Sequence, residues 1–317
     1  MSIAVSLSIF AISIAFLIGS AKFFTQAAEI LGYRFGLSPF AIGVVIVSVG
    51  TSLPELISAI VATRGGDSEI VPGNVIGSSL SNILFVLGLT VLVSPKRIDL
   101  GSQYIYIDLN FLAGAAFIVV VTMFDGEVLF PEASIGIIAY AIYLFYLLKA
   151  GTTSAEQDVS RGAPPSSLTP IWKSVLTIIA SGIVIFLSAG QTISSLSTIA
   201  ETLGVSKAIV SMTLLSIGTT LPECVVSMSA AIAGKAELAV GNVLGSCIFN
   251  SLAIPGIAAC FGSLRVPSEL VQFSLPVYGA IVLIFYLLTQ DQRISHFEGA
   301  LLLLLYVLFI GKVSRLL

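Results

Sequence analysis

The sequence predicts an all-α integral membrane protein of about ten transmembrane helices, arranged as two inverted five-helix repeats. Three observations carry that prediction. Of the 317 residues, 56% are hydrophobic and only 10% charged, where soluble domains carry about 25% charged residues; the mean hydropathy is +1.07. Apolar runs of roughly the ~20 residues that cross a bilayer recur along the chain. A short polar motif set inside one of them returns in the second half at a constant distance.

In order, the apolar runs fall near 3–31, 39–63, 70–94, 104–124 and 131–149. The first lacks the basic start and cleavage site of a signal peptide and is too long for one, so it reads as a transmembrane helix. A stretch rich in Gly, Ser, Pro and charge follows, from Gly151 through Pro164, Pro165, Ser166 and Ser167, and reads as a flexible linker. Five more runs lie near 173–203, 207–233, 237–262, 270–290 and 296–315. The expected division is therefore residues 1–150, a first five-helix repeat; 151–172, a linker; and 173–317, a second repeat. Runs this apolar, without alternation over 9–11 residues, are helices and not barrel strands.

The halves repeat in strict register. Thr51 and Thr219, Glu55 and Glu223, Asn74 and Asn242, Ser78 and Ser246, and Asn82 and Asn250 are each 168 positions apart. The register holds without a gap from Gly36/Gly204 to Gly88/Gly256, with about a third of positions identical. Five spans is an odd number, so the second half enters the membrane from the opposite side. Inverted repeats of this kind mark secondary transporters, with a site at the pseudo-symmetric midplane.

Charge excludes other classes. The net charge of −3 is scattered, with no basic patch for nucleic acid. No G-x-x-x-x-G-K-[ST] phosphate loop occurs, and the polar segment near 150–172 is too short for a nucleotide-binding domain. A primary pump and an enzyme are both disfavoured. Cys224, Cys247 and Cys260 lie in apolar runs; the first and last read as small buried residues, and no disulfide framework is expected. Lys and Arg number eight in the short loops of one face (Arg34, Lys96, Arg97, Lys149, Arg161, Lys173, Lys235, Arg293) and five on the other. That bias puts the N-terminus outside a cell (inner) membrane. Glu29, Glu201, Asp108 and Gln191 lie near span ends or on outer helices and are expected at the interface.

The first motif is Gly50-Thr51-Ser52-Leu53-Pro54-Glu55, repeated as Gly218-Thr219-Thr220-Leu221-Pro222-Glu223. An acidic side chain near the centre of a span costs about 2.5–3.5 kcal/mol on insertion scales. Here that cost is incurred twice, at corresponding places. Pro54 has no N–H and crowds the carbonyl of Gly50, so the helix should break and leave carbonyls free to meet a cation. Ser52-Leu53-Pro54-Glu55 and Thr220-Leu221-Pro222-Glu223 also fit a helix capping box, and capping and cation binding are compatible.

The second motif places Asn74, Ser78 and Asn82 on one helix face, and Asn242, Ser246 and Asn250 on another. Gly73/Gly77 and Gly241/Gly245 form GxxxG pairs beside those faces, which let a neighbouring helix approach closely. The amides and hydroxyls also suit hydrogen bonds between helices. All the candidate ligands are oxygens. This inventory suits Ca²⁺, which takes about 6–8 oxygens, or Na⁺, and argues against zinc.

Together these residues are recognisable. GTSLPE with GNVIGSSLSN, and GTTLPE with GNVLGSCIFN, resemble the two alpha repeats of the calcium/cation antiporter superfamily, and look closest to its prokaryotic sodium/calcium exchanger branch. The resemblance covers about 53 residues in each half. It implies exchange of Ca²⁺ for Na⁺ by alternating access, with a Ca²⁺/H⁺ antiporter as the neighbouring alternative. By position, Glu55 and Glu223 are the implied central ligands, and Thr51 and Thr219 add oxygens for Ca²⁺. Ser52 with Ser78, and Thr220 with Ser246, are the implied flanking sodium sites. Asn82 and Asn250 face the middle, and the carbonyls of Ser48 and Ser216 contribute. The position of Asn250 is acidic in several exchangers, including potassium-dependent ones. The implied partners are the two ions and the lipid bilayer, with no cofactor, nucleic acid or obligatory protein partner.

Overall fold

A computed structural model describes residues 3–100, 108–158, 170–202 and 218–313. Eleven helices are seen among them. α1 (Ile3–Arg34) is followed by a bent pair, α2 (Pro39–Thr51) and α3 (Leu53–Gly65), which cross at 43°. α4 (Ile70–Val93), α5 (Leu109–Met123) and α6 (Phe130–Asp158) complete the first half. The second holds α7 (Ile171–Thr202), α8 (Leu221–Ile232), α9 (Ala236–Ala258), α10 (Leu270–Leu288) and α11 (His296–Val313). α5 and α8 are short for a span; residues 101–107 and 203–217, upstream of them, lie outside the described residues. The plan of two inverted five-helix repeats holds. α6 runs on to Asp158, past the polar boundary at Gly151.

Four short strands close the ends of the bundle. β1 (Ile98–Asp99) pairs antiparallel with β4 (Arg293–Ile294), and β2 (Glu127–Val128) with β3 (Leu264–Arg265). Each ribbon thus joins a loop of one half to a loop of the other. The loop after α4 meets the loop before α11, and the loop after α5 meets the loop after α9. An inverted repeat brings those particular loops to common faces.

Burial sorts the helices. About 78% of the apolar window of α4 and 89% of that of α9 is buried, against 22–28% for α1, α6, α7 and α11. The two helices that carry the Asn-Ser-Asn faces are therefore the centre of the molecule, and the others form its lipid-facing wall. α1 packs chiefly along α7, as a pair outside the core. The exposed Trp172 lies against Lys173 at 5.6 Å from ring centroid to Nζ, as suits an interfacial anchor.

α2 lies directly on α9. A Cβ at Gly43 would meet Asn242 N at 2.8 Å, and one at Gly245 would meet Val44 Cα at 2.8 Å. The Gly241/Gly245 pair is therefore a contact surface, as its spacing predicts. Among the described residues the Gly73/Gly77 pair makes no such approach: the nearest atom to a Cβ at Gly73 is Leu270 Cδ1 at 3.7 Å. The repeat would set residues 207–219 against it, and most of these lie outside the described set.

Three side chains depart from expectation. Asp108 is fully buried, not interfacial, because α6 supplies Tyr143 as a hydrogen-bond donor at 2.6 Å. Glu29 pairs with Lys235 at 2.5 Å, joining the end of α1 to the loop before α9. Cys260 is exposed, since α9 has ended before it; Cys224 and Cys247 are buried, and all three are free thiols.

Candidate functional site

The site grows from the break at Ser52. Its backbone leaves the helical region (φ −92°, ψ 5°), and Pro54 sits in the first turn of α3. Thr220 repeats this almost to the degree (φ −96°, ψ 3°) with Pro222 behind it. Neither Ser52 nor Thr220 caps its helix through the side chain. The capping box is thus present in letters but not formed. Instead Ser52 Oγ lies 3.1 Å from both Glu223 Oε1 and Ser246 Oγ, tying the first break to the second half.

Glu55 and Glu223 are 3% and 0% exposed, and they interact electrostatically. Among the described residues neither has an ion-pair partner. Thr51 Oγ1 lies 3.2 Å from the Ser48 carbonyl oxygen and 3.3 Å from Asn242 Oδ1. Asn242 Nδ2 donates to Ser227 Oγ at 2.8 Å, which fixes the amide. Across the site Thr220 and Ser78 are buried, and Ser78 Oγ accepts from Asn250 Nδ2 at 3.1 Å.

Buried polar atoms are normally paired, so the unpaired ones are informative. Among the described residues, Glu55 Oε2, Glu223 Oε2, Asn250 Oδ1 and both amide atoms of Asn82, Oδ1 and Nδ2, are buried without a hydrogen-bond partner. Four of these are acceptor oxygens, two from the breaks and two from α4 and α9. Leaving a buried polar group unsatisfied costs about 1–3 kcal/mol, and more for a charged group. A hard cation is the partner such a set lacks. Among the described residues no cluster of three or more His, Cys, Asp or Glu side chains suits a softer metal.

The expected residues are placed unevenly. Thr51, Ser52, Glu55, Ser78, Asn82, Thr220, Glu223, Ser246 and Asn250 are all buried, as is Ser48. Thr219 is not brought in: it falls in the turn between Gly218 and Leu221 and is exposed, whereas Thr51 closes the last turn of α2. Ser216 lies outside the described residues. The Ser48 carbonyl already accepts from Ser52 N at 3.0 Å, whereas Pro54 offers the Gly50 carbonyl no N–H. Two features had no sequence signal. α2 and α4 each contain one wide helical turn, at Gly43–Val47 and at Asn82–Val86. Such turns gather at functional sites, and the second starts at Asn82 itself. A small pocket beside the break is lined by Phe24 of α1, Gly182 and Ile185 of α7, and Thr51, Pro54 and Pro222.

Fold and site define a membrane ion transporter built on an inverted repeat. The chain belongs to the sodium/calcium exchanger protein family, which matches residues 5–149 and 173–313. It is 28% identical to the sodium/calcium exchanger MaX1 of Methanosarcina acetivorans, over 97% of this chain and 98% of that protein. It is 31% identical to the membrane protein MJ0091 of Methanocaldococcus jannaschii, over 96% of each. Among solved structures it superposes on the sodium-calcium exchanger NCX_Mj, soaked with zero Na⁺ and Ca²⁺, with a TM-score of 0.81. That match has 26% identity and covers 98% of this chain and 100% of the other.

Proposed function

We propose that the chain is a secondary antiporter that exchanges Ca²⁺ for Na⁺ by alternating access, at the cluster around Glu55 and Glu223. The observation that supports this most is the set of four unpaired buried oxygens on Glu55, Glu223, Asn82 and Asn250. Two carboxylates balance one Ca²⁺, and neutral oxygens complete its shell. Thr51 and the carbonyls of Ser48 and Ser216 serve Ca²⁺. Ser52 with Ser78, and Thr220 with Ser246, extend the cluster for Na⁺. Na⁺ and Ca²⁺ compete for the same glutamates, so one leaves as the other enters. The protein sits in the cell membrane with its N-terminus outside, and residues 151–172 link its halves.

The α1/α7 pair slides along the core to expose the cluster to each side in turn. Ala21 and Ala189, both buried in that contact region, are the points to lock. A cysteine crosslink from either to the core is expected to stop exchange, and unimpaired flux in verified crosslinked protein would refute the sliding.

The assay is uptake of radiolabelled Ca²⁺ into proteoliposomes under imposed Na⁺, K⁺ or H⁺ gradients. Na⁺ is expected to drive uptake without K⁺. Uptake driven by H⁺ alone would identify a Ca²⁺/H⁺ antiporter instead. The K⁺ arm tests Asn250. With amides at 82 and 250 the centre carries about −2, enough for Ca²⁺ alone. Asn250→Asp adds a third carboxylate, which must take up a proton or a monovalent ion, so flux in this variant should become sensitive to pH or K⁺. A wild-type protein that stops without K⁺ would refute this reading.

A further inference from the structure

Among the described residues, one fully buried carboxylate lies outside the ion cluster. Asp108 precedes α5 and is 0% exposed. Tyr143 Oη donates to its Oδ1 at 2.6 Å, while the buried Oδ2 has no hydrogen-bond partner among the described residues. Three positions back on α6, the Tyr140 hydroxyl is also buried and unpaired, and the two rings are 6.4 Å apart. Two unsatisfied polar atoms in one apolar cluster call for a shared explanation.

Among the described residues the surroundings supply no counter-charge. α6 presents Tyr140 and Tyr143, with Tyr146 beyond, and its Lys149 is exposed six positions past Tyr143. Glu127 of β2 and Glu132 near the start of α6 are not buried, and α10 carries no charged residue between Leu275 and Leu288. Among the described residues no ion pair reaches Asp108. An ionised carboxylate there would be an uncompensated buried charge, costing several kcal/mol even after relaxation (roughly, from buried-ion energetics). A metal ion would gather about six or more oxygens, and this cluster offers one carboxyl and two phenols. A proton on Oδ2 removes the charge without any counter-ion.

We propose that Asp108, which accepts a hydrogen bond from Tyr143, is a proton-binding site distinct from the Glu55/Glu223 cluster. One proton taken from water resides on Oδ2 and no other bond changes. The neutral acid keeps α5 against α6. The Tyr140 ring meets Phe249 edge-on at 5.4 Å, and Phe249 directly precedes Asn250 on α9. Loss of the proton would force water into the α5–α6 contact and disturb the support behind Asn250.

The test is independent of which ions are carried. Infrared spectra of the full chain in a Glu55→Gln/Glu223→Gln background isolate Asp108 as the remaining buried carboxyl. The carbonyl stretch of a protonated carboxylic acid is expected at neutral pH, and it should vanish on adding Asp108→Asn. No such band, or a band that Asp108→Asn leaves in place, overturns the proposal. Should that variant fail to fold, Tyr143→Phe removes the hydroxyl bonded to Asp108 and must shift the band; an unmoved band overturns the proposal. With both glutamates intact, Asp108→Asn should also flatten the alkaline side of the pH profile of ion flux. Superimposable profiles would overturn the coupling to Asn250.

Discussion

Glu55→Gln and Glu223→Gln are each expected to lower Na⁺-driven Ca²⁺ flux by about 100-fold or more, equivalent to about 2.8 kcal/mol, in a protein that still folds. The amide keeps the shape of the side chain and removes one of two charges that replace the hydration of a divalent ion. Glu223→Gln retains an acceptor for Ser52, whose hydroxyl is 3.1 Å from Oε1, so the loss reports charge and not a collapsed contact. Thermal unfolding should show variants at least as stable as the wild type without ions, because a buried unpaired charge has been removed. Wild-type flux in both variants would refute the assignment.

The second large effect lies in the backbone contact that brings the halves together. Gly43→Ala and Gly241→Ala are expected to destabilise the protein by about 1–3 kcal/mol each, the usual cost of overpacking. They should also weaken ion binding. The added methyl at 43 would meet Asn242 N at 2.8 Å, and the one at 241 would press on the Phe40 carbonyl carbon at 3.2 Å. Backbone atoms of a packed helix cannot swing aside, so α2 must move off α9. That movement separates Thr51 from Asn242 and Ser52 from Ser246. Gly114→Ala is the control, since nothing lies within 4 Å of the new methyl there. Equal thermal midpoints for all three variants would show that the α2–α9 contact is not limiting.

The sequence made the breaks at Ser52 and Thr220 legible because proline geometry is local: no distant residue is needed to know that Pro54 lacks an N–H. The repeat made the ten-helix plan legible for a similar reason, since an odd number of spans per half dictates inversion. What stayed hidden depends on direction and partners. The letters Ser-x-x-Glu describe a cap equally well, and only the fold turns the Ser52 hydroxyl toward Glu223. Asp108 resembles any polar residue at a span end until α6 places Tyr143 against it. Thr51 and Thr219 are equivalent in sequence, yet one is buried and the other exposed. An inverted repeat makes two sides alike in sequence, and a single conformation need not treat them alike.

One cluster containing both glutamates is proposed to hold either Ca²⁺ or Na⁺. Calorimetric titration of the purified protein with Ca²⁺, at increasing fixed Na⁺, tests it most directly. Ca²⁺ should bind, its apparent affinity should fall steadily as Na⁺ rises, and binding heat should disappear in the Glu55→Gln/Glu223→Gln protein. Ca²⁺ binding that is indifferent to Na⁺, or that survives in the double variant, would contradict it.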